Sequence, residues 1–188
     1  MKNYQITEWC HHFWREQIRP GDLCIDATMG NGKDTQVLCE LTGKGGKVLA
    51  FDIQECALQA TRERLRRAGV PENYELYCRS HVHMDEYAKE GSVSCIVFNL
   101  GYLPGGDHSK ATRAESSIEA IEQGLRLLKK GGLMSLCIYS GGDTGYEERT
   151  VLLGFLKTLD PKRWLVLVHE FYNRKNDPPL PVFLVKLS

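Results

Sequence analysis

Short apolar segments alternate with amphipathic stretches along most of this chain of 188 residues. The apolar segments are rich in strand-forming residues and are bounded by glycine, proline or polar residues, whereas the stretches between them repeat with the helical period. The segments predicted as strands are 23–27, 48–52, 74–78, 93–99, 133–139, 165–171 and 182–187. Strands and helices that alternate at this spacing form right-handed βαβ units, so we predict a mostly parallel sheet with helices on both faces.

The C-terminal part of the chain departs from this alternation. Only residues 173–181 separate the last two predicted strands, which leaves no room for a crossover helix, so these strands are predicted to form an antiparallel hairpin. Helices are predicted at 7–17, 34–41, 56–68, 116–128 and 146–159. We therefore predict one α/β domain over residues 1–188, with a seven-stranded sheet, an antiparallel C-terminal strand, and a helical cap formed by residues 1–20.

Composition restricts the class of protein without identifying a function. The chain carries 24 basic and 24 acidic residues and a net charge of +0, so a polyanionic partner would have to meet a local basic patch. Its seven cysteines are scattered without a CxxC pair, and we find neither a signal peptide nor an apolar stretch of about 20 residues. These features predict a soluble cytoplasmic protein. The aromatic residues near the N-terminus are predicted to form either an intrachain cap or a homodimer contact.

A glycine-rich turn follows the first predicted strand and precedes a helix. Gly30 and Gly32 allow the backbone to approach a ligand at the carboxyl edge of the sheet, where doubly wound folds bind a cofactor. Thr35 stands where a dinucleotide fingerprint needs a third glycine or alanine, and Asp26 suits an ammonium or sulfonium ligand better than a pyrophosphate. The turn therefore favours S-adenosylmethionine. An NAD(P)-dependent oxidoreductase and a non-catalytic nucleotide-binding module are the alternatives from other classes.

Polar residues also follow the second and third predicted strands. Asp52 comes about twenty residues after the turn, where a carboxylate accepts hydrogen bonds from the ribose hydroxyls of a nucleoside. Ile53 and Gln54 are predicted along the edge of the adenosine, and Ser80 and His81 near the adenine ring. The predicted cofactor-binding residues are Asp26, Thr28, Gly30, Asn31, Gly32, Lys33, Asp34, Thr35, Asp52, Ile53, Gln54, Ser80, His81, Asn99 and Leu100.

The fourth predicted strand ends in Asn99 and opens into a glycine-rich loop. Asn99-Leu-Gly-Tyr102 resembles the Asn-Pro-Pro-aromatic motif of amine and base N-methyltransferases, with Leu-Gly in place of the two prolines. In that motif the Asn side chain accepts a hydrogen bond from the target amine, and the aromatic ring packs on the substrate. Methyl transfer depends on alignment more than on strong acid or base catalysis. The predicted catalytic residues are Asn99, Tyr102 and Asp107.

The sequence offers weaker candidates for a proton acceptor and for metal ligands. The attacking amine must be neutral, and Asp107, His108 and Tyr139 are the residues that would accept its proton. The histidines near the N-terminus, His11 and His12, match no zinc-binding spacing. We therefore predict a reaction that uses no metal.

Five segments together resemble the MnmM-like family of S-adenosylmethionine-dependent methyltransferases, also called rRNA methylases. The segments are Asp26–Thr35, Phe51–Gln54, Ser80-His81, Phe98–Asp107 and Asn176–Pro179, so the resemblance extends over almost the whole chain. It implies a Rossmann-like class I methyltransferase fold and methylation of the 5-aminomethyl group of wobble uridine 34 in tRNA. That product is a secondary amine, in agreement with N-methylation. Methylation of rRNA or of a small-molecule amine is the alternative within the class.

Basic residues in loops are candidates for contacts with RNA. Lys110, Arg113, Arg174 and Lys175 lie in loops that are predicted to surround the site, where they would bind phosphates of an anticodon arm. Tyr139, at the end of the fifth strand, is predicted on the substrate side. The cofactor-binding fold takes up nearly the whole chain, so recognition of tRNA is predicted to come from these loops.

Overall fold

The computed structural model describes residues 5–101, 114–139, 145–175 and 177–188. In this part of the chain, seven strands form one sheet. The strands are β1 Leu23–Asp26, β2 Lys47–Asp52, β3 Tyr74–Cys78, β4 Val93–Leu100, β5 Leu128–Ile138, β6 Trp164–Val168 and β7 Leu180–Lys186. Their spatial order is β3-β2-β1-β4-β5-β7-β6, and β7 runs antiparallel to both of its neighbours while the other pairs are parallel. The predicted fold class is confirmed.

The described helices agree with the predicted ones to within a few residues. They are α1 Ile6–Gln17, α2 Lys33–Thr42, α3 Glu55–Ala68, α4 Ala114–Leu127 and α5 Gly145–Lys157. A short 3-10 helix, His81–Glu86, was not predicted because six residues are too few to show a helical period. None of the helices in the described part of the chain has the length and apolar character needed to span a membrane.

The sheet is buried on both faces, and β4 lies at its centre. Ile96 and Phe98 pack into a core with residues of α4 and α5, whereas Cys95 and Val97 face the opposite way, into a core with residues of α1 and α2. Side chains that alternate between two buried faces produce a continuous apolar run in the sequence. This burial explains why β4 was recognised as a buried strand.

The antiparallel hairpin predicted at the C-terminus is formed by β6 and β7. β7 lies between β5 and β6, so the reversed strand is an inner strand and β6 forms the edge of the sheet. The burial of the two strands agrees with this order. Val182, Phe183 and Leu184 of β7 are almost completely buried, whereas Leu165 and Val168 of β6 are 43% and 51% exposed.

The N-terminal helix α1 packs across β5 and β7. The Trp9 Nε1–H donates a hydrogen bond to Nδ1 of His169 at 2.9 Å, and the Phe13 ring lies 4.3 Å from the Phe183 ring between centroids. Trp14 is 2% exposed. Of the two roles predicted for the N-terminal aromatic residues, these contacts support the intrachain cap.

Candidate active site

The residues predicted to bind the cofactor gather at the carboxyl ends of β1, β2 and β4. β1 pairs with β2 on one side and with β4 on the other. The chain leaves β1 through α2 and leaves β4 toward α4, and these helices cover opposite faces of the sheet. A crevice therefore opens between the ends of β1 and β4, which is where open α/β sheets bind ligands.

The glycine turn after β1 is supported by the neighbouring elements. Gly30 and Gly32 have φ angles of 49° and 75°, in the left-handed region. A Cβ atom on Gly32 would lie 2.9 Å from the Thr61 Cα, so a larger residue has no room there. The Thr61 hydroxyl donates to the Gly30 carbonyl at 3.0 Å, and the Met29 N–H donates to the Phe51 carbonyl at 2.9 Å. The turn is thus held by both α3 and β2.

Asp26 lies at the end of β1 and is fully buried. Its Oδ2 accepts a hydrogen bond from the Thr35 hydroxyl at 2.6 Å, and its Oδ1 accepts one from the Thr28 N–H at 3.2 Å. Burial raises the pKa of Asp26 to about 7, and the negative charge of Asp34 adds to this shift. A cation bound nearby would stabilise the ionised form of Asp26. Thr35 is also fully buried, so its side chain supports Asp26 from within the protein.

Asp52, at the end of β2, links the glycine turn to the start of α3. Its Oδ2 accepts a hydrogen bond from the Gly30 N–H at 3.1 Å, and its Oδ1 accepts one from the Gln54 N–H at 2.9 Å. A carboxylate oxygen can accept a second hydrogen bond, so both oxygens retain the capacity to bind ribose hydroxyls. Ile53 is 50% exposed and Gln54 is buried. An apolar side chain therefore lies on the surface beside the predicted ribose site.

The polar residues on the outer side of the turn face a surface groove. Asn31 and Lys33 line this open groove of about 620 Å³ together with Arg64 and Arg67 of α3. The Arg64 Nε–H donates to the Asn31 carbonyl at 2.7 Å. The side chains of Asn31 and Lys33, both predicted as cofactor contacts, therefore lie beside a basic part of α3.

Ser80 and His81 follow β3. The Ser80 hydroxyl oxygen accepts a hydrogen bond from the Val82 N–H at 3.4 Å and caps the 3-10 helix. His81 Nδ1 lies 3.1 Å from the Ala27 carbonyl oxygen, so Nδ1 carries the proton and Nε2 is an acceptor. Burial lowers the pKa of His81, which favours the neutral ring. This hydrogen bond joins the segment after β3 to the end of β1, and the contact of His81 with an adenine ring stays a prediction.

Asn99, at the end of β4, is hydrogen-bonded to two other parts of the site. Its backbone N–H donates to the Thr28 hydroxyl oxygen at 2.7 Å, and its side-chain Nδ2 donates to Oδ2 of Asp34 at 2.7 Å. Asp34, in the first turn of α2, accepts a second hydrogen bond through Oδ1, from His11 Nε2 of α1 at 2.7 Å. Residues from β4, α2 and α1 thus form one chain of hydrogen bonds.

Sequence reasoning placed Asn99 and Asp34 in the site but did not include His11. A signal was nevertheless present, because His11 lies between Cys10 and Trp14 on the buried face of α1. A polar side chain on a buried helix face needs a hydrogen-bond partner. The helical pattern cannot identify that partner, since Asp34 lies 23 residues away in another helix.

Tyr139 follows β5 and pairs with the end of β4. Its N–H donates to the Leu100 carbonyl at 3.0 Å. Burial raises the pKa of Tyr139, and the charges of Cys137 and Asp34 act in the same direction. The phenol therefore stays protonated, which argues against its predicted role as a proton acceptor and leaves it as a hydrogen-bond donor.

The Leu100 side chain is fully buried, so a cofactor contact by Leu100 would have to come from its backbone.

The residues predicted for catalysis and RNA binding are only partly described. Those that lie outside the described residues are Tyr102, Asp107, His108, Lys110 and Arg113. Arg174 and Lys175 follow β6, which runs in the same direction as β5, so they lie at the same edge of the sheet as the site. β6 is three strand spacings from β4, or roughly 14 Å. The Arg174 guanidinium lies 4.6 Å from the centre of the Phe171 ring.

The strand order with one reversed inner strand, the glycine turn after β1 and the carboxylate after β2 define a Rossmann-like class I methyltransferase. The site fits S-adenosylmethionine, because Asp52 can accept ribose hydroxyls and a cation bound near Asp26 would stabilise its ionised form. The chain belongs to the family described as "Putative rRNA methylase", whose model matches residues 48–185. It is therefore an S-adenosylmethionine-dependent methyltransferase.

Similar proteins cover nearly the whole chain. An Arabidopsis thaliana protein named tRNA (mnm(5)s(2)U34)-methyltransferase, chloroplastic, is 38% identical over 191 residues, which cover 97% of this chain and 69% of that protein. A crystal structure of a Clostridium thermocellum protein described as a "putative rRNA-methylase" has a TM-score of 0.95 and 38% identity over 100% of both chains. A crystal structure of a Streptococcus mutans protein described as a "putative methyltransferase", in complex with SAH, has a TM-score of 0.88 and 35% identity, over 98% of this chain and 99% of that one.

Proposed function

We propose that the protein is an N-methyltransferase that methylates the 5-aminomethyl group of wobble uridine 34 in tRNA. The observation that carries this proposal is the side chain of Asn99 at the end of β4, whose Nδ2 donates to Asp34. Asp34, as a carboxylate, can only accept hydrogen bonds, so the Asn99 carbonyl oxygen is directed away from it. An amide oxygen beside the crevice is the acceptor that a primary amine needs. The name of the Arabidopsis relative supports this choice of substrate.

The reaction is an in-line displacement at the methyl carbon, with the amine nitrogen as the nucleophile. S-adenosylmethionine supplies a methyl group on a positively charged sulfur atom. In the proposed mechanism, Asn99 Oδ1 accepts an N–H of the substrate amine and directs the nitrogen lone pair toward the methyl carbon. The new N–C bond forms as the C–S bond breaks, the bonding electron pair returns to sulfur, and the resulting ammonium releases a proton to water. Orientation is the contribution that the protein makes to such a step.

A neutral amide suits this position better than a carboxylate would. An ionised carboxylate in contact with the amine would stabilise the ammonium form, which has no lone pair and cannot attack. Asn99 accepts a hydrogen bond without adding charge. The carboxylate that Asn99 contacts is that of Asp34, whose two oxygens already accept hydrogen bonds from Asn99 and His11.

We further propose that the protein is cytoplasmic. Its tRNA substrate is proposed to bind to residues around the carboxyl edge of the sheet. Arg174 and Lys175 lie at this edge and are exposed, and Lys110 and Arg113 are proposed to contribute from the sequence between β4 and α4. Tyr102 and Asp107 follow Asn99 in the sequence, outside the described residues, and are proposed to contact the substrate. Tyr139 is proposed to donate a hydrogen bond on the substrate side. This arrangement would allow a chain with a net charge of +0 to bind one anticodon arm through a few local cations.

Transfer of a labelled methyl group to bulk tRNA tests the proposal. The tRNA is prepared from a strain that lacks the enzyme, incubated with the protein and methyl-labelled S-adenosylmethionine, and digested to nucleosides. We expect the label in a wobble uridine that carries a methylaminomethyl group. Label in another nucleoside, or in rRNA but not in tRNA, would refute the assigned acceptor.

Asn99→Ala tests the role of the amide directly. We expect turnover to fall by at least about 100-fold because the amine is no longer aligned, while the affinity for S-adenosylmethionine measured by calorimetry is retained. Asn73→Ala is the matched control. Asn73 is another buried Asn, whose side chain holds the C-terminal end of α2 through the Cys39 and Gly43 carbonyls. The Asn73→Ala substitution should lower thermal stability and leave turnover of the folded protein unchanged. Full activity of Asn99→Ala would remove Asn99 from the mechanism.

A further inference from the structure

The hydrogen-bonded chain from His11 through Asp34 to Asn99 connects the N-terminal cap to the proposed methyl-transfer site. The distances are 2.7 Å from His11 Nε2 to Asp34 Oδ1 and 2.7 Å from Asn99 Nδ2 to Asp34 Oδ2. His11 is 5% exposed and Asp34 8% exposed, so water has little access to these bonds. The two oxygens of one carboxylate are thus shared between α1 and the end of β4.

We propose that His11 is a positioning residue for methyl transfer, which acts through Asp34 to fix the orientation of the Asn99 side-chain amide. This inference rests on the proposed role of Asn99 as the acceptor of the amine hydrogen bond. His11 itself is not a catalytic residue, because its ring contacts Asp34 and Trp14 inside the protein.

The direction of each hydrogen bond follows from the carboxylate at the centre of the chain. An ionised carboxylate accepts hydrogen bonds and has none to donate, so His11 must present Nε2–H and Asn99 must present Nδ2–H. The Asn99 Oδ1 is then directed away from Asp34. The opposite amide orientation would place an N–H₂ group where the substrate amine needs an acceptor.

His11 holds this arrangement by restricting the carboxylate. Without the His11 hydrogen bond, the buried Asp34 side chain has one donor fewer and is free to rotate. A rotated carboxylate no longer accepts the hydrogen bond from Asn99 Nδ2, and the amide is then free to turn round. A single buried charge-assisted hydrogen bond can therefore decide which end of Asn99 faces the amine.

The position of His11 on the inner face of α1 supports this role over that of a packing residue. Its ring lies 4.6 Å from the Trp14 ring, so packing alone could be provided by an apolar ring. Histidine, unlike an apolar ring, brings two polar nitrogens into this buried position. Nε2 is used for Asp34, whereas Nδ1 is buried without a hydrogen-bond partner among the described residues, and a Glu8 carboxylate oxygen lies 3.6 Å from it.

His11→Phe and His11→Gln separate positioning from packing. The Phe variant keeps an aromatic ring against Trp14 and removes the donor to Asp34, whereas the Gln variant retains an N–H donor. If Phe is not accommodated, His11→Leu provides the same test. Ile18→Val is the matched control, because Ile18 is a buried residue at the end of α1 that lies outside the hydrogen-bonded chain. Thermal unfolding verifies that each variant is folded.

The first measurement reports on the amide itself and needs neither cofactor nor tRNA. In ¹H–¹⁵N spectra, the side-chain amide of Asn99 is assigned as the signal that Asn99→Ala removes. In the unsubstituted protein and in His11→Gln and Ile18→Val, we expect a downfield amide proton bound to the carboxylate and protected from exchange. In His11→Phe we expect an upfield shift and faster exchange. An unchanged Asn99 signal in His11→Phe would overturn the inference, whichever acceptor the enzyme methylates.

The second measurement compares kcat with KM. We expect kcat of His11→Phe to fall about tenfold to a hundredfold, with KM for S-adenosylmethionine within about twofold, because the reacting groups are misaligned and the cofactor site is intact. His11→Gln should recover most of the loss, and Ile18→Val should keep kcat. Equal loss in the Phe and Gln variants would assign His11 a structural role. An unsubstituted protein that methylates no tRNA would refute the proposed acceptor, while the amide signal would still decide the role of His11.

Discussion

Three carboxylates, Asp26, Asp34 and Asp52, surround one glycine turn, and each is stabilised differently. Asp52 accepts two backbone N–H groups, and Asp34 accepts hydrogen bonds from His11 and Asn99. Asp26 is buried most deeply, and its pKa is raised to about 7 by that burial and by the charges of the other two. A site with this much negative charge is ready for a ligand that carries a sulfonium and an ammonium group.

The raised pKa of Asp26 predicts a pH dependence of cofactor binding. Below about pH 7 the free protein holds a proton on Asp26, and a bound cation lowers that pKa, so binding releases the proton. Affinity for S-adenosylmethionine should therefore rise with pH by up to about tenfold per unit below pH 7 and level off above it. Calorimetry in buffers of different ionisation enthalpy measures both the affinity and the proton release.

Asp26→Asn is the control for this prediction, because its amide does not titrate. Its affinity should be weaker and nearly independent of pH over the same range. Proton release that persists unchanged in Asp26→Asn would contradict the assignment.

The pKa shift of Asp26 also affects the stability of the protein, with a defined sign. Between 3.8 and about 7, folded Asp26 keeps a proton that the unfolded chain releases, so this group lowers the free energy of unfolding as pH rises through that window.

At the scale of elements, the turn between β1 and α2 depends on its packing against α3. Gly32→Ala should weaken cofactor binding, because the new Cβ would lie 2.9 Å from the Thr61 backbone and would push the turn away from α3. Gly131→Ala is a matched control, since Gly131 has the same φ of 75° and nothing within 4 Å of the position of a Cβ.

Both glycine variants carry the strain of a left-handed alanine, which is about 1–2 kcal/mol. The free energy of unfolding should therefore fall in both, as measured with urea. Only Gly32→Ala should also lose affinity for S-adenosylmethionine in calorimetry. Equal affinities of the two variants would show that the turn does not bind the cofactor.

The elements of the fold could be predicted from sequence to different degrees. β4 and the helix α3 were located because a buried strand and an amphipathic helix have distinct apolar patterns over eight and fourteen residues. The 3-10 helix was missed, since its local signal is the Ser80 cap alone. The end of β6 was placed at Phe171 instead of Val168, because an apolar residue recurs at Phe171, beyond the last residue that pairs with β7.

At the scale of the whole molecule, an aromatic cluster joins the two ends of the chain. Phe13 of α1 packs on Phe183 of β7, and His169 contacts both rings as well as Trp9. The cluster fixes α1 on the sheet. Since α1 also carries His11, the same packing holds the N-terminal helix where His11 can contact Asp34 in the proposed site.

Removal of the central ring of this cluster should destabilise the whole protein. Phe183 is 1% exposed, and Phe183→Ala should lower the free energy of unfolding by about 3–5 kcal/mol through lost burial and the cavity left behind. Val168→Ala, at a residue of the neighbouring strand that is 51% exposed, should cost less than about 1 kcal/mol. Urea unfolding followed by fluorescence and by circular dichroism measures both, and equal losses would contradict a central role for the cluster.

The sequence alone determined the features that depend on neighbouring residues. Strand and helix periods, the glycine turn, and the acid and amide at the ends of β2 and β4 are all encoded within short segments. Tertiary structure decided which distant groups meet. The insertion of β7 beside β5, the complete burial of Asp26 and the hydrogen bonds from His11 to Asp34 and Asn99 join segments far apart in the chain. Such contacts depend on how helices pack on the sheet, which no local pattern specifies.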